Sequence, residues 1–336
     1  MIYIRVDMNE IIATGHLMRC LAIAEAAKKQ GEETTFLLAD AQAETIVREK
    51  GYHAIVLHTD WKQMDSELVQ ISRIIKEKHI QKIFIDSYQV TQSYLQRLTE
   101  LVETIYLDDL NMFDYPVSGI VCYAYYYEKF DYTRSLYNRK MYLGPEYTIL
   151  KPAFCDCPPK SINFKVENLL ILSGGTDRYN ILDGILSGIE KNDYQSICVI
   201  CGTYYHNYAA LCRKFSNNKK VHIYQNVSNI EKFMQEADFA ITAGGTTLYE
   251  LCAVGTPAIS YSIADNQKDN VIKFQEEGII DYAGDVRKDN VVQKIKDLLK
   301  KYENNAPLRQ SCSEKMQQLV DGGGAERVAS ILCDIS

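Results

Sequence analysis

Residues 238–262 read DFAITAGGTTLYELCAVGTPAISYS and contain the pattern on which the fold prediction is based. An apolar run typical of a buried strand, FAITA, ends in two glycines, and the segment 246–254 that follows is predicted to be a helix. The next apolar run, PAISYS, predicts another buried strand. Buried strands separated by a helix of this length require a crossover connection, so the stretch predicts neighbouring parallel strands in an α/β sheet.

The same alternation of short apolar runs and amphipathic segments extends over most of the 336 residues. It begins with IYIRVD at 2–7 and continues to TIYLDD at 104–109, after which SGIVCYAYYYEKFDYT predicts a partly buried, tyrosine-rich loop or a pocket wall. The segment LKPAFCDCPPKSINFK at 150–165 has three prolines and no period, which predicts a linker. The alternation resumes after it, and helices are predicted to dominate from residue 288.

These patterns predict two doubly wound, Rossmann-like α/β domains with an interdomain cleft. The predicted boundaries are 1–152 for the amino-terminal domain and 163–336 for the carboxyl-terminal domain, with the last helix a candidate for packing back on the first. Doubly wound sheets bind ligands outside the carboxyl ends of their strands. The cleft between the two carboxyl edges is therefore the predicted binding region.

Composition narrows the class of protein. The chain is 46% hydrophobic and 24% charged, with a net charge of -7, which is typical of a globular protein and argues against a broad nucleic-acid surface. The longest apolar runs are strand-sized, so no membrane span is predicted, and the first residues lack a signal-peptide pattern. The 10 cysteines show no zinc spacing and fit reduced core thiols. We therefore expect a cytoplasmic protein with no metal, no cofactor and no obligate protein partner.

Two glycine pairs directly follow predicted strands. Gly174 and Gly175 end the run LLILSGG, and Gly244 and Gly245 end FAITAGG. Glycines at this turn let the backbone approach a ligand, and the helix amino terminus that follows favours negative charge. Neither loop matches a dinucleotide-binding or P-loop motif. The two together predict binding of a phosphate or diphosphate, with plain strand-to-helix turns as the alternative.

Polar side chains near the second glycine pair suit the remainder of a nucleotide-sugar. Thr246 and Thr247 add hydroxyl donors for phosphate. Glu250 lies one helical turn later and suits ribose hydroxyls, unless it only stabilises the helix dipole. Asn266 and Gln267 follow the next predicted strand and offer amides to sugar hydroxyls or acetamido groups, unless they are ordinary surface turn residues.

The candidate catalytic segment is IIATGHLMRCLAIAEAA at 11–27. Gly15 permits a close approach, and His16 begins the predicted helix, whose amino terminus disfavours the imidazolium. A neutral imidazole in a cleft is a competent general base. Arg19 follows one turn later, where a cation is unfavourable unless an anion offsets it. An anionic substrate would explain both residues, and a capped surface histidine is the alternative.

Several segments occur together in the order of one known family. They are IRVDMNEIIATGHLMRCLAIA, IFIDSYQV, IYLDDL, YLGPEYTILKPAF, LSGGTDRYN, TAGGTTLYELCAVGTPAI and NQ. With these segments the chain resembles the UDP-sugar hydrolases of pseudaminic acid biosynthesis, which are related to spore coat polysaccharide biosynthesis proteins. The glycine-threonine segment is also similar to that of the wider group of two-domain, GT-B nucleotide-sugar transferases, including the enzyme that adds GlcNAc to lipid I.

The resemblance implies metal-independent hydrolysis of UDP-2,4-diacetamido-2,4,6-trideoxy-L-altrose to UDP and the free sugar, with inversion. Such an enzyme would serve pseudaminic acid or related nonulosonate synthesis, and through it flagellin glycosylation or cell-surface polysaccharide. The resemblance makes His16 the catalytic residue, Glu250 the ribose ligand and the two glycine loops with Thr246 the UDP site. It puts these residues on the sugar side: Asp7, Arg19, Asn266 and Gln267. The stretch VCYAYYY at 121–127 departs from the family, where an asparagine is usual.

Two other functions stay open at this point. A GT-B glycosyltransferase would pass the sugar to an acceptor, whereas a hydrolase releases UDP without one. A non-catalytic nucleotide-sugar-binding protein would bind UDP and leave the UDP-sugar intact.

Overall fold

The computed structural model describes residues 1–9, 12, 14–174, 177–189, 192–202 and 205–334. The chain forms two compact units. Unit 1 consists of Met1–Pro152 together with Gly322–Ser336, and unit 2 of Ala153–Asp321.

Unit 1 is built on a parallel sheet. Its strands are β1 (Ile2–Val6), β2 (Thr34–Leu38), β3 (His53–Val56), β4 (Lys82–Asp86), β5 (Glu103–Leu107), β6 (Gly119–Cys122) and β7 (Lys140–Leu143). Within the described residues they pair in the order β3-β2-β1-β4-β5-β6-β7. The direction of winding reverses between β1 and β4, and doubly wound sheets bind ligands at the carboxyl ends of the strands beside such a switch point.

Unit 2 contains a second parallel sheet of the same kind. Its strands are β8 (Asn168–Leu172), β9 (Ser196–Cys201), β10 (Val221–Gln225), β11 (Phe239–Ala243), β12 (Ala258–Ser262) and β13 (Asp281–Asp285). In the part of the chain that the structure describes, their order is β10-β9-β8-β11-β12-β13. The switch point lies between β8 and β11, which are the strands that lead into the two glycine loops.

Helices connect the strands and cover the sheets. They are α1 (Gly15–Lys29), α2 (Glu44–Glu49), α3 (Leu68–Lys78), α4 (Gln92–Thr99), α5 (Ile181–Ile189), α6 (Tyr208–Phe215), α7 (Ile230–Glu236), α8 (Thr247–Val254), α9 (Lys268–Glu276), α10 (Val291–Tyr302), α11 (Ala306–Leu319) and α12 (Gly324–Cys333). Every residue of β1, β2, β11 and β12 is buried, because parallel sheets of this class are covered on both faces. The predicted doubly wound α/β fold is confirmed in both units.

Two details of the unit boundaries add to the predicted 1–152 and 163–336, in which the last helix was a candidate for packing back on the amino-terminal domain. Residues 322–336 belong to unit 1, where α12 packs against α1. A Cβ on Gly324 would lie 2.2 Å from the carbonyl oxygen of Thr148, so glycine permits this close contact. Unit 2 begins at Ala153, ahead of the predicted start, because Gln317 of α11 donates to the carbonyl of Pro158 and accepts from the amide of Lys160.

None of the helices in the described residues has both the length and the apolar character needed to cross a membrane.

Candidate functional site

The side chains of His16 and Asp86 meet at the switch point of unit 1. Asp86 is the last residue of β4, and His16 lies in the first turn of α1, the helix that follows β1. The two strands are neighbours in register, with Val6 opposite Asp86. Nδ1 of His16 therefore comes within 2.5 Å of Oδ1 of Asp86, although 70 positions separate the two residues. His16 is only 9% exposed and Asp86 only 1%.

Arg19 binds the same carboxylate from the next turn of α1. Its Nε donates to Oδ2 of Asp86 and its Nη2 to Oδ1, both at 2.5 Å. Nη1 donates to the hydroxyl of Tyr123 at 3.0 Å and lies 3.7 Å from Oδ2 of Asp109. The anion that offsets the charge of Arg19 near the start of α1 is thus Asp86 of the chain itself, so the presence of Arg19 requires no anionic substrate.

The charge on Asp86 determines the tautomer of His16. Burial alone would raise the pKa of Asp86, but the charges and hydrogen bonds of Arg19 and His16 hold it well below its usual range. Nδ1 of His16 lies 2.5 Å from Oδ1 of Asp86 and 3.0 Å from Nη2 of Arg19. Because an ionised carboxylate can only accept hydrogen bonds and Asp86 is the nearer partner, we assign a proton to Nδ1, which donates a hydrogen bond to Asp86. In the neutral ring, Nε2 therefore carries the lone pair. Among the described residues, Nε2 has no hydrogen-bond partner.

Tyr88 fixes the histidine ring from another side. Its ring meets the imidazole edge-on, with 4.7 Å between the ring centroids, and its hydroxyl donates to Oδ2 of Asp109 at 2.9 Å. Burial raises the pKa of Asp109, while Arg19 and the Tyr88 hydroxyl oppose the shift. Tyr88 and Asp86 therefore hold the imidazole in one orientation.

Asp7 belongs to a buried ion network at the end of β1. Its Oδ2 accepts from Nη1 of Arg5 at 2.6 Å, and its Oδ1 accepts from the amide of Ala39 at 2.8 Å. The guanidinium of Arg5 also forms two 2.8 Å hydrogen bonds with the carboxylate of Glu67, and both of these side chains are fully buried. The carboxylate of Asp7 is thus held rigidly, which suits a wall residue better than a mobile ligand.

A cavity of about 250 Å³ opens beside the histidine. Its lining residues come from the chain segments that follow β1, β3 and β4, and they are Asp7, Ile12, His16, Trp61, Asp86, Ser87, Tyr88 and Gln89. A Cβ on Gly15 would meet nothing within 4 Å, so the start of α1 is open. The structure brings His16 and Asp7 to this one cavity, and their role on the sugar side stays a prediction.

Sequence reasoning missed Asp86, Trp61, Tyr88 and Gln89 as site residues. The stretch DSYQ directly follows the apolar run IFI, and a polar group at the carboxyl end of a buried strand was a signal that could have been used. Trp61 carried no comparable signal, because it lies five residues beyond the end of β3 in an irregular segment.

In unit 2, the predicted phosphate loops follow the neighbouring strands β8 and β11. Gly174 has φ of +74°, a conformation that favours glycine. Gly175 lies outside the described residues. Gly244 is required for packing, because a Cβ there would lie 2.2 Å from Cγ1 of Val271 in α9. A Cβ on Gly245 would have its nearest neighbour at 3.6 Å, so this glycine leaves open space at the loop.

The two helix amino termini beside these loops differ. The carboxylate of Asp177 accepts from the amides of Ile181 and Leu182 at 2.8 and 2.9 Å, so the start of α5 is already neutralised by the chain. The start of α8 carries no side-chain cap. Within the described residues, the amides at 245–247 have no acceptor. An anion is therefore favoured at α8 rather than at α5.

The remaining predicted residues lie close to the start of α8. Thr246 is its cap residue and exposed, Thr247 is its first residue, and Glu250 is half-buried in its first turn. A Cβ on Gly245 would stand 3.6 Å from Nε2 of Gln267, while Oε1 of Gln267 accepts from the amide of Ile263 at 3.0 Å. Asn266 precedes Gln267 and is exposed. This group belongs to unit 2, and its role as a nucleotide site stays a prediction.

No cluster of three or more histidine, cysteine, aspartate or glutamate side chains suited to a metal ion occurs in the described residues.

Residues 160–319 match the protein-family model described as Glycosyl transferases group 1. Over 335 residues the chain is 25% identical to the spore coat polysaccharide biosynthesis protein SpsG of Bacillus subtilis (strain 168), covering 96% of this chain and 94% of that protein. Over 186 residues it is 26% identical to the UDP-N-acetylglucosamine–N-acetylmuramyl-(pentapeptide) pyrophosphoryl-undecaprenol N-acetylglucosamine transferase of Helicobacter pylori (strain G27), covering 52% of each.

Among solved structures, the fold is similar to that of Acinetobacter baumannii MurG. The TM-score is 0.72 at 12% sequence identity, and the alignment covers 99% of both chains. At this identity the likeness shows the GT-B fold alone. The predicted GT-B arrangement of two Rossmann-like domains is thereby confirmed as a fold class.

The sequence-based prediction of a UDP-sugar hydrolase is wrong. The family match over 160–319 is to glycosyl transferases, and the Helicobacter pylori relative is named as a transferase. These findings favour the alternative of a GT-B glycosyltransferase. The resemblance to spore coat polysaccharide biosynthesis proteins is supported, whereas the pseudaminic acid assignment is not.

Proposed function

We propose that the protein is a glycosyltransferase that moves a sugar from a UDP-sugar to an acceptor hydroxyl in the synthesis of a polysaccharide. The observation that carries the proposal is the pairing of His16 Nδ1 with Asp86, which leaves the basic Nε2 available beside a cavity. The match of residues 160–319 to glycosyl transferases supports this reaction class.

Unit 2 supplies the nucleotide site in this proposal. The open amides at 245–247 and the dipole of α8 suit the diphosphate, and the Thr246 hydroxyl adds a donor. Glu250 suits the ribose hydroxyls, because a carboxylate accepts hydrogen bonds and would repel phosphate. Asn266 and Gln267, which neighbours the Gly245 turn, offer amides to the donor sugar.

Unit 1 supplies the base. Nε2 of His16 removes the proton of the acceptor hydroxyl as its oxygen forms a bond to the anomeric carbon. The bond from that carbon to the diphosphate oxygen breaks, and its electron pair leaves on UDP. Asp86 stabilises the imidazolium that forms, as a carboxylate does in other histidine-carboxylate pairs. The open end of α8 stabilises the charge that develops on the leaving group. A single displacement of this kind inverts the anomeric configuration.

The test is a screen of UDP-sugars in the presence and absence of candidate polysaccharide acceptors. UDP release and the mass of the product are followed together. We expect UDP release that requires an acceptor, with one sugar added to that acceptor. His16→Ala should lower kcat by roughly 10²–10⁴-fold, the usual contribution of a positioned base. The matched control is His53→Ala, because His53 is an exposed histidine on β3 of the same unit.

UDP release at the same rate without acceptor would overturn the assignment as a transferase. Binding of UDP with an intact UDP-sugar under every acceptor condition would favour the non-catalytic binding protein instead. A His16→Ala enzyme within a few-fold of wild type would place the base elsewhere.

A further inference from the structure

The cavity beside His16 has the size of a site for one small ring. Its volume of about 250 Å³ lies just below the roughly 300–1,000 Å³ of pockets that hold drug-sized molecules. A UDP-sugar or a lipid-linked chain is larger than this. The cavity can therefore enclose one unit of a substrate, with the rest of the substrate outside it.

The walls of the cavity combine an aromatic surface with polar groups. Trp61, the single tryptophan of the chain, lines it together with Ile12 and Tyr88. Ser87 and Gln89 supply a hydroxyl and a side-chain amide. The backbone amide of Gln89 donates to the Ser87 hydroxyl at 3.1 Å, whereas the side-chain amide of Gln89 has no hydrogen-bond partner among the described residues. An aromatic face beside hydroxyl and amide groups suits a sugar ring, whose C–H bonds form an apolar face and whose rim carries hydroxyls.

The charges around the cavity disfavour a phosphate there. None of the eight lining residues is lysine or arginine. The two carboxylates that line the cavity, Asp7 and Asp86, are already paired with Arg5 and Arg19. A phosphate would thus meet carboxylates whose partner cations are engaged, whereas a neutral sugar ring needs no counter-charge.

The segment that carries Trp61 is held by the chain before any substrate binds. Oδ1 of Asp60 accepts from the amide of Lys62 at 3.0 Å, and the carbonyl of Asp60 accepts from the amide of Gln63 at 2.9 Å. The Thr59 amide donates to the carbonyl of Ala39 at 2.9 Å. The Thr59 hydroxyl donates to Glu67, which belongs to the buried ion network. These hydrogen bonds fix the backbone that carries Trp61, and Nζ of Lys62 lies over the indole, 5.2 Å from its ring centroid. A backbone held before binding loses little conformational entropy when a ligand stacks on the ring.

We infer that this cavity binds the acceptor as one neutral sugar ring stacked on Trp61, with a ring hydroxyl next to Nε2 of His16. Trp61 is then the residue that selects a cyclic sugar acceptor, and Gln89 binds another hydroxyl of the same ring. This inference builds on the proposed transfer reaction, in which that hydroxyl gives its proton to His16 and its oxygen attacks the anomeric carbon of the donor.

The single tryptophan makes the inference testable without turnover. The probes are the methyl β-glycosides of glucose, galactose and N-acetylglucosamine, with sorbitol as an acyclic polyol control. Tryptophan emission of the wild-type protein is followed at the red edge of excitation, where tyrosine does not contribute. We expect a saturable change in emission with at least one glycoside and none with sorbitol. No saturable change with any glycoside, or an equal response to sorbitol, overturns the inference.

Kinetics separate the acceptor from the donor. Trp61→Ala should raise the acceptor KM on the order of 10-fold, because the apolar area of the stacked ring is lost, and Trp61→Phe should recover part of that loss. The donor KM should stay within two-fold. Gln63→Ala, an exposed position in the same segment, is the matched control with wild-type kinetics.

An acceptor KM within two-fold of wild type in Trp61→Ala overturns the inference, as does a rise confined to the donor KM, which would place the donor sugar in the cavity. Glycoside binding without any sugar transfer would instead count against the proposed transferase and leave the cavity a sugar site. Emission of the wild-type protein is informative even if Trp61→Ala does not fold.

Discussion

Asp86 is the residue on which the geometry of the candidate base depends. One carboxylate holds Nδ1 of His16 and both Nε and Nη2 of Arg19, and it is buried beneath them. Removing its charge would leave Arg19 with the more distant Asp109 as its nearest carboxylate, at 3.7 Å. The same substitution would remove the acceptor that fixes the tautomer of His16.

We expect Asp86→Asn to be less stable than wild type by about 3–5 kcal/mol at neutral pH, the usual cost of breaking a buried ion pair. Arg19 and His16 hold the pKa of Asp86 well below its usual range. The stability from this carboxylate is therefore fully present above the unfolded-state pKa of about 3.9 and is lost as pH falls toward the folded-state value. Wild type should lose this contribution below about pH 4, and Asp86→Asn should lack that part of the decline.

The measurement is denaturant unfolding of unit 1 at a series of pH values, reported by Trp61 emission. Asp183→Asn, a half-exposed aspartate of unit 2, is the control. Equal stability of wild type and Asp86→Asn at pH 7, with the same acid limb, would show that Asp86 does not act as a charged partner in the folded protein.

At the same scale, the sequence could identify His16 and Arg19 but not Asp86. A histidine and an arginine close to the amino terminus of a helix conflict with the helix dipole, and that conflict is visible in a short stretch of sequence. The carboxylate that resolves this conflict, Asp86, lies 70 residues after His16. It comes close because β1 pairs with β2 on one side and with β4 on the other. Local residue spacing does not predict strand order. The sequence therefore led to an anionic substrate as the partner of Arg19, whereas Asp86 is that partner in the structure.

At the scale of elements, the chain distinguishes two helix ends that look alike in sequence. Each follows a strand and a glycine pair, yet Asp177 occupies the start of α5 and no side chain caps α8. The Gly244 turn is further anchored because Nδ2 of Asn270 donates to the Gly244 carbonyl at 3.2 Å. An anchored turn with open amides is preorganised for a phosphate.

The two glycines of that turn should respond differently to alanine. Gly244→Ala would push a methyl group against buried Val271 and should lower the stability of unit 2 by about 1–3 kcal/mol, the usual cost of overpacking. Gly245→Ala meets nothing closer than 3.6 Å and should fold normally. Its methyl group stands beside the open amides, so UDP affinity should fall by roughly 10-fold, which equals 1.4 kcal/mol.

Thermal unfolding and UDP calorimetry on the two variants test this pair. Each variant is the other's control, because both add one methyl group to the same turn. A normally stable Gly244→Ala would mean that α9 can move away from β11. Unchanged UDP affinity in Gly245→Ala would exclude the turn as the phosphate site.

Fully buried strands are the elements that sequence patterns predict best, with one exception. β6 reads GIVC and is fully buried, yet it lies in the stretch that was predicted to be a tyrosine-rich loop or a pocket wall. β1, β8 and β11 are apolar runs because both of their faces are covered. The edge strand β7 has two exposed residues, and β13 reads DYAGD, with two aspartates and a glycine. The apolar part of β7 is only three residues long and that of β13 only two, so neither was predicted as a strand, although each extends its parallel sheet by pairing with one neighbour.

At the scale of the whole molecule, two units with separate sheets carry separate parts of the proposed reaction. Among the described residues, one cluster of buried apolar side chains lies within unit 2 and another lies within unit 1. The residues proposed to bind the nucleotide lie in unit 2, and the proposed base and acceptor cavity lie in unit 1. A substitution in one unit should therefore leave the affinity of the other unit for its own substrate unchanged.

The binding of UDP alone should show this separation. Glu250→Ala should weaken UDP binding by roughly 1.5–3 kcal/mol, because a hydrogen bond between a charged group and the ribose is lost. His16→Ala should bind UDP within two-fold of wild type, and the double variant should match Glu250→Ala, since residues that share no partner have additive effects. Calorimetry of UDP binding to wild type, the two single variants and the double variant measures these comparisons. The UDP affinity of Glu250→Gln, which keeps the shape of the side chain but not its charge, should fall between those of Glu250→Ala and wild type. If His16→Ala weakens UDP binding as much as Glu250→Ala does, the imidazole contacts the nucleotide rather than the acceptor, and the division of roles between the two units is wrong.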